Sequence, residues 1–69
     1  MKIFMCIVVG QELNGKNVIV RVDRASKNKE DIDLFISKNP ATWTEKMNVP
    51  GGVVNFFCER HAHEVEVEE

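Results

Sequence analysis

Residues 2–23, KIFMCIVVGQELNGKNVIVRVD, decide the fold. The first half alternates as a strand would, with Ile3, Met5, Ile7 and Val9 on one face and Phe4, Cys6 and Val8 on the other. A strand that is apolar on both faces belongs inside a sheet. Asn14-Gly15 follows, the strongest short hairpin signal, because both residues tolerate the positive φ of a type I′ turn. Asn17 to Asp23 then read as the return strand.

The turn predicts the register. With Leu13 facing Lys16, Val9 opposes Val20, Ile7 opposes Val22, Val8 opposes Arg21, Cys6 opposes Asp23, and Ile19 faces Gly10. The β-branched set Ile7, Val9, Val20 and Val22 is expected to form the core side. A one-residue slip would carry Arg21 into that core, so the register is firm.

Downstream, Asn28 predicts a helix N-cap, with Glu30, Asp31 and Asp33 in the first turns, where the helix dipole favours acids. Ile32, Phe35 and Ile36 make a narrow apolar stripe, Leu34 lies off it, and Pro40 ends the helix. Thr42-Trp43-Thr44-Glu45 matches a capping box, so the sequence predicts a second short helical turn through Met47, or a loop. Pro50-Gly51-Gly52 reads as a turn and Val53 to Cys58 as a third strand. His63 to Glu68 alternates, with Val65 and Val67 opposed to Glu64, Glu66 and Glu68, and is expected to be an edge strand with an acidic outer face. The whole reads as one small α+β domain, residues 1–69: an antiparallel sheet of three to four strands with one main helix packed on one face.

At 69 residues, with 43% hydrophobic and 29% charged residues, the chain has the composition of a soluble globular domain but only a marginal core. No apolar run reaches the length of a membrane span. The N-terminus lacks a small-residue cleavage site, and two cysteines are too few for a secreted disulfide scaffold, so a cytoplasmic protein with reduced thiols is expected. The net charge of −2 conceals a gradient: residues 1–29 carry six basic side chains against two acidic, and residues 49–69 one against five.

Three constellations bear on function. Cys58, His61 and His63 have zinc-ligating side chains in a C-x2-H-x-H spacing, with Cys6 as a further donor. On a continuous strand, however, Cys58 would point away from both histidines, so no metal or other cofactor is expected. The cluster Arg21, Arg24, Lys27 and Lys29 suits a nucleic-acid backbone, but Asp23 interrupts it, and the aromatic residues read mostly as core. A small zinc- or nucleic-acid-binding module is therefore the alternative reading. Nucleophile elbow and phosphate loop are both missing from the sequence, and no enzyme is expected. The leading expectation is a non-enzymatic partner-binding regulator, an inhibitor or adaptor, whose acidic row Glu64, Glu66 and Glu68 faces a basic protein. If the helix covers the Ile7 and Val9 face, then Phe4, Cys6, Val8 and Ile19 are left bare. They are expected to pair two copies as a homodimer, unless the segment from Pro40 to Met47 folds over them with Trp43 as a lid.

Overall fold

The computed structural model describes residues 1–68. Its elements are β1 (Lys2–Glu12), β2 (Val18–Ser26), α1 (Lys29–Ser37), β3 (Thr42–Val49) and β4 (Gly52–Glu66). All neighbouring strands run antiparallel, in the order β2-β1-β4-β3, so the chain is a four-stranded antiparallel sheet with one short helix. No helix among the described residues is long and apolar enough to cross a membrane.

Val9 opposes Val20, Ile7 opposes Val22, Val8 opposes Arg21 and Gly10 opposes Ile19, as the sequence predicts. The turn that sets this register is different. Glu12 N–H donates to the Asn17 carbonyl at 2.9 Å, which closes a wider loop over residues 13–17. Neither Asn14 nor Gly15 has positive φ, so there is no type I′ turn. Past Ile7 the register shifts, and Cys6 faces Arg24 rather than Asp23. A β-bulge of this kind adds one residue to one strand and bends it.

The core lies on the face opposite to the one expected. Cys6 and Val8 are 0% exposed, whereas Val20 and Val22 are 65% and 54% exposed. Phe56 and Cys58 of β4 are buried beside Val8, and Ile19, Trp43, Met47 and Val54 pack around them. Among the described residues nothing covers the valine-rich face, and we call it the outer face. Cys6 and Val8 are core residues, Ile19 packs against the Val8 cluster and Phe4 is half-buried, so these four are not the bare dimer patch the sequence suggested. Trp43 does close over this inner face, but from within a strand of the sheet.

Asn28 caps α1 by accepting from Glu30 N–H at 3.0 Å. Ile32 is buried, Phe35 and Ile36 are half-buried, and Leu34 is exposed. Phe35 lies against Arg60, an inner-face residue, so the stripe does not sit over Val20 and Val22.

Thr42 to Val49 form β3, not the second helical turn. Trp43, Glu45, Met47 and Val49 alternate with exposed Thr42, Thr44, Lys46 and Asn48, and that period of two overrides the capping-box match. Gly51 and Gly52, with φ of 95° and 147°, make the turn into β4. The two strands expected after this turn are one 15-residue strand. As far as Glu59 it lies inside the sheet between β1 and β3.

Candidate functional site

The inner face carries a network that ties the two outer strands of the sheet together. Arg21 on β2 donates from both Nη atoms to the Glu45 carboxylate on β3, each at 3.1 Å, and from Nε to Asp23 at 3.0 Å. β2 and β3 are separated by two strands, about 14 Å in a flat sheet. The curl of the sheet brings their inner-face side chains together over Val8 and Cys58. Glu45 also accepts from Trp43 Nε1 at 2.9 Å and faces Cys58 Sγ at 3.5 Å.

Arg60 on β4 continues the network. Its side chain is only 7% exposed. It donates to Asp23 at 2.8 Å and to the Pro40 carbonyl at 3.0 Å, and its guanidinium stacks 4.5 Å from the Trp43 ring.

Charges in this cluster are fixed by their partners. Hydrogen bonds from Arg21 and then Trp43 hold the Glu45 carboxyl down at about 2. Burial alone would raise the Asp23 carboxyl, but Arg21 and Arg60 outweigh it and keep it below the usual range. Burial, then Glu45, pushes the Cys58 thiol up, the reverse of what a nucleophile requires.

The alternation that puts Cys58 on the inner face puts His61 and His63 on the outer one. Strand β4 runs through Glu59 and Arg60 without a turn, so the three residues do not converge. Among the described residues no cluster of three His, Cys, Asp or Glu side chains is placed to hold a metal ion. The basic cluster is also partly neutralised: Arg21 by Glu45 and Asp23, and Lys29 by Asp33 at 2.7 Å, while Arg24 lies over the Phe35 ring.

Two members of the acidic row lie at the end of β4. Glu64 and Glu66 share the side of β4 that carries Cys58, and both are exposed. Lys2 pairs with Glu64 at 3.3 Å and the Met1 amino group with Glu66 at 3.2 Å, both at the surface. Glu68 lies just past the strand, exposed.

This end of β4 is paired on one side only. β1 accompanies it to Glu66, but β3 ends its pairing at Glu59. Arg60 N–H still reaches the Ala41 carbonyl at 2.9 Å on the β3 side, whereas Val67 N–H points the other way, to the Met1 carbonyl at 2.7 Å. By strand alternation the backbone groups of Ala62, Glu64 and Glu66 therefore face the open edge. Of the edge strand expected over residues 63–68, the part up to Glu66 is strand, and it is open on one side.

A depression near this edge, between Phe4, Ile32, Ala62 and Glu64, holds about 260 Å³. Small-molecule sites hold roughly 300–1,000 Å³. Compared with known proteins, the chain matches no family model, no curated protein and no solved structure.

The sequence reading missed the clasp among Arg21, Glu45 and Arg60. One signal was present: Arg21 opposes Val8, so once Val8 is core, Arg21 must reach a partner at the rim of that face.

Proposed function

We propose that this chain is a non-enzymatic regulator, an inhibitor or adaptor working in the cytoplasm as a homodimer, and that it acts by binding a basic protein. In this reading α1 packs as a brace on the inner face of the sheet. The observation that carries the proposal is the open edge of β4. Three residues, Ala62, Glu64 and Glu66, present backbone donors and acceptors there, and two of them carry exposed carboxylates. An exposed strand edge accepts an added strand by main-chain hydrogen bonding, and a row of acids selects an incoming segment rich in Lys or Arg.

On the inner face Arg21, Asp23, Glu45 and Arg60 are engaged with one another. The same edge and its acids repel nucleic acid, so a basic protein is the better fit.

The test is affinity capture from the cell of origin, and from its host if it has one, with the wild type and a Glu64→Gln/Glu66→Gln/Glu68→Gln variant in parallel. A basic protein held by the wild type, released by added salt and lost in the variant supports the reading. Equal retention by both removes the acidic edge from the account. Turnover of a small molecule by the purified chain would overturn it.

A further inference from the structure

The outer face of the β1–β2 hairpin carries an apolar patch that no described residue covers. Val18, Val20 and Val22 on β2 are 59%, 65% and 54% exposed. Ile7 and Val9, their cross-strand partners on β1, are half-buried by the strands alone, as is Met5. These six side chains are uncharged. β-Branched residues at such exposure cost solubility and invite association, and contiguous patches of this kind mark interfaces.

The dimensions of the molecule point to what covers the patch. The radius of gyration is 14.2 Å, whereas a compact monomer of this length has about 11 Å. The accessible surface is 5069 Å², whereas a monomer of this mass exposes about 4,400 Å². The excess of about 650 Å² approaches the roughly 800 Å² that each partner buries in a standard interface. The molecule measures 43 × 27 × 15 Å, so its broad face has room for such an interface, and its thin dimension is that of a half-finished sandwich. Among the described residues, five hydrophobic ones are buried as core: Cys6, Val8, Ile32, Phe56 and Cys58.

We infer that the outer face is closed by a second copy of this chain. Two sheets meet patch to patch about a two-fold axis, about 10 Å apart, to give an eight-stranded sandwich. A neutral patch suits this role, because on a two-fold axis each side chain meets the same chemistry and no like charges are forced together. The polar row Glu59, His61 and His63 borders the patch on β4 and supplies the rim. Both inner faces, with their helices, stay outside. The inference rests on the homodimeric part of the function proposed above and is independent of the basic partner.

Sedimentation or light scattering on the purified chain tests it. At about 100 µM, where a micromolar dimer is largely assembled, the wild type should run at twice 7.9 kDa. Val20→Glu/Val22→Glu should run at 7.9 kDa with an unchanged far-UV spectrum, since both positions are exposed in the single chain. Leu34→Glu, an exposed change on α1, should leave the dimer intact. A monomeric wild type overturns the inference, as does a Val20→Glu/Val22→Glu protein that stays dimeric. If that variant does not fold, maleimide labelling of Val20→Cys decides. Labelling that is slow at high concentration and fast on dilution supports the interface, and a rate independent of concentration overturns it. A failed search for a basic partner leaves all these outcomes unaffected.

Discussion

Glu45 sits where four hydrogen bonds converge, two from Arg21, one from Trp43 and one from Cys58. Its carboxyl is held at about 2, against an ordinary 4.5. A carboxyl depressed in the folded chain stabilises fully above its unfolded value and loses that contribution as pH falls through its folded value. Wild-type stability should therefore decline between about pH 4.5 and 2, and Asp23, shifted in the same direction, adds to the slope. Glu45→Gln should cost about 1 kcal/mol at pH 7, less than a fully buried charged hydrogen bond because Arg21 is partly in water. The gap between the two proteins should close near pH 2, read from thermal melts across the acid range; parallel curves would mean that the clasp contributes nothing. Gly10 is the second sensitive residue. It is buried, and an added Cβ would stand 2.7 Å from Ile19 Cγ1 and 3.0 Å from Cys58 Sγ. Ile19 is branched at Cβ, which restricts χ1 and keeps Cγ1 from swinging clear. Gly10→Ala should destabilise by about 1–3 kcal/mol in chemical denaturation, as overpacking does.

Among the elements, the two loops that carry glycine differ in what they demand. Gly51 has φ of 95° with open space where a Cβ would go, so the cost of Gly51→Ala is backbone strain alone, about 1 kcal/mol. Gly15 has no positive φ, and the group nearest its would-be Cβ is the mobile carboxylate of Glu12. Gly15→Ala should be neutral within a few tenths of a kcal/mol. Urea midpoints of the two variants check the contrast, and a larger loss at Gly15 would restore the tight turn. This pair also shows what was legible in the sequence. Pro50-Gly51-Gly52 and Asn28 act locally, and their readings hold. The Val9–Val20 and Ile7–Val22 pairing was legible too, because the wider loop keeps the same register. Which face is buried was not, since β1 is apolar on both sides and its own pattern is silent. The choice is made by Phe56, Cys58 and Trp43, which arrive from distant strands. The bulge beside Asp23 leaves no local signature. The period of two in Thr42 to Val49 was present, but the capping-box match masked it. At the candidate site, the acids of residues 64–68 were visible as a row, whereas the open edge depends on where β3 stops and no local pattern reports it.

At the scale of the whole molecule, stability and assembly should be one measurement. A chain that completes its core only against a second copy unfolds from dimer to separate chains, so mass action makes its melting temperature depend on concentration. With an unfolding enthalpy of about 0.7 kcal/mol per residue over both copies, each tenfold rise in concentration should raise the melting temperature by about 5 °C. Val20→Glu/Val22→Glu should flatten that dependence, because it removes the proposed outer-face contact and leaves the inner core in place. Glu64→Gln/Glu66→Gln/Glu68→Gln should keep it. The pairs made by Glu64 with Lys2 and by Glu66 with the Met1 amino group are exposed, at 3.3 and 3.2 Å, and exposed pairs contribute about 0–1 kcal/mol. Relief of the like-charge row offsets part of that loss. Differential scanning calorimetry over two decades of concentration separates the surfaces: the valines govern the slope, and the glutamates leave slope and midpoint nearly unchanged. A wild type whose melting temperature ignores concentration would make the single curled sheet self-sufficient, with the clasp among Arg21, Glu45 and Arg60 holding it closed.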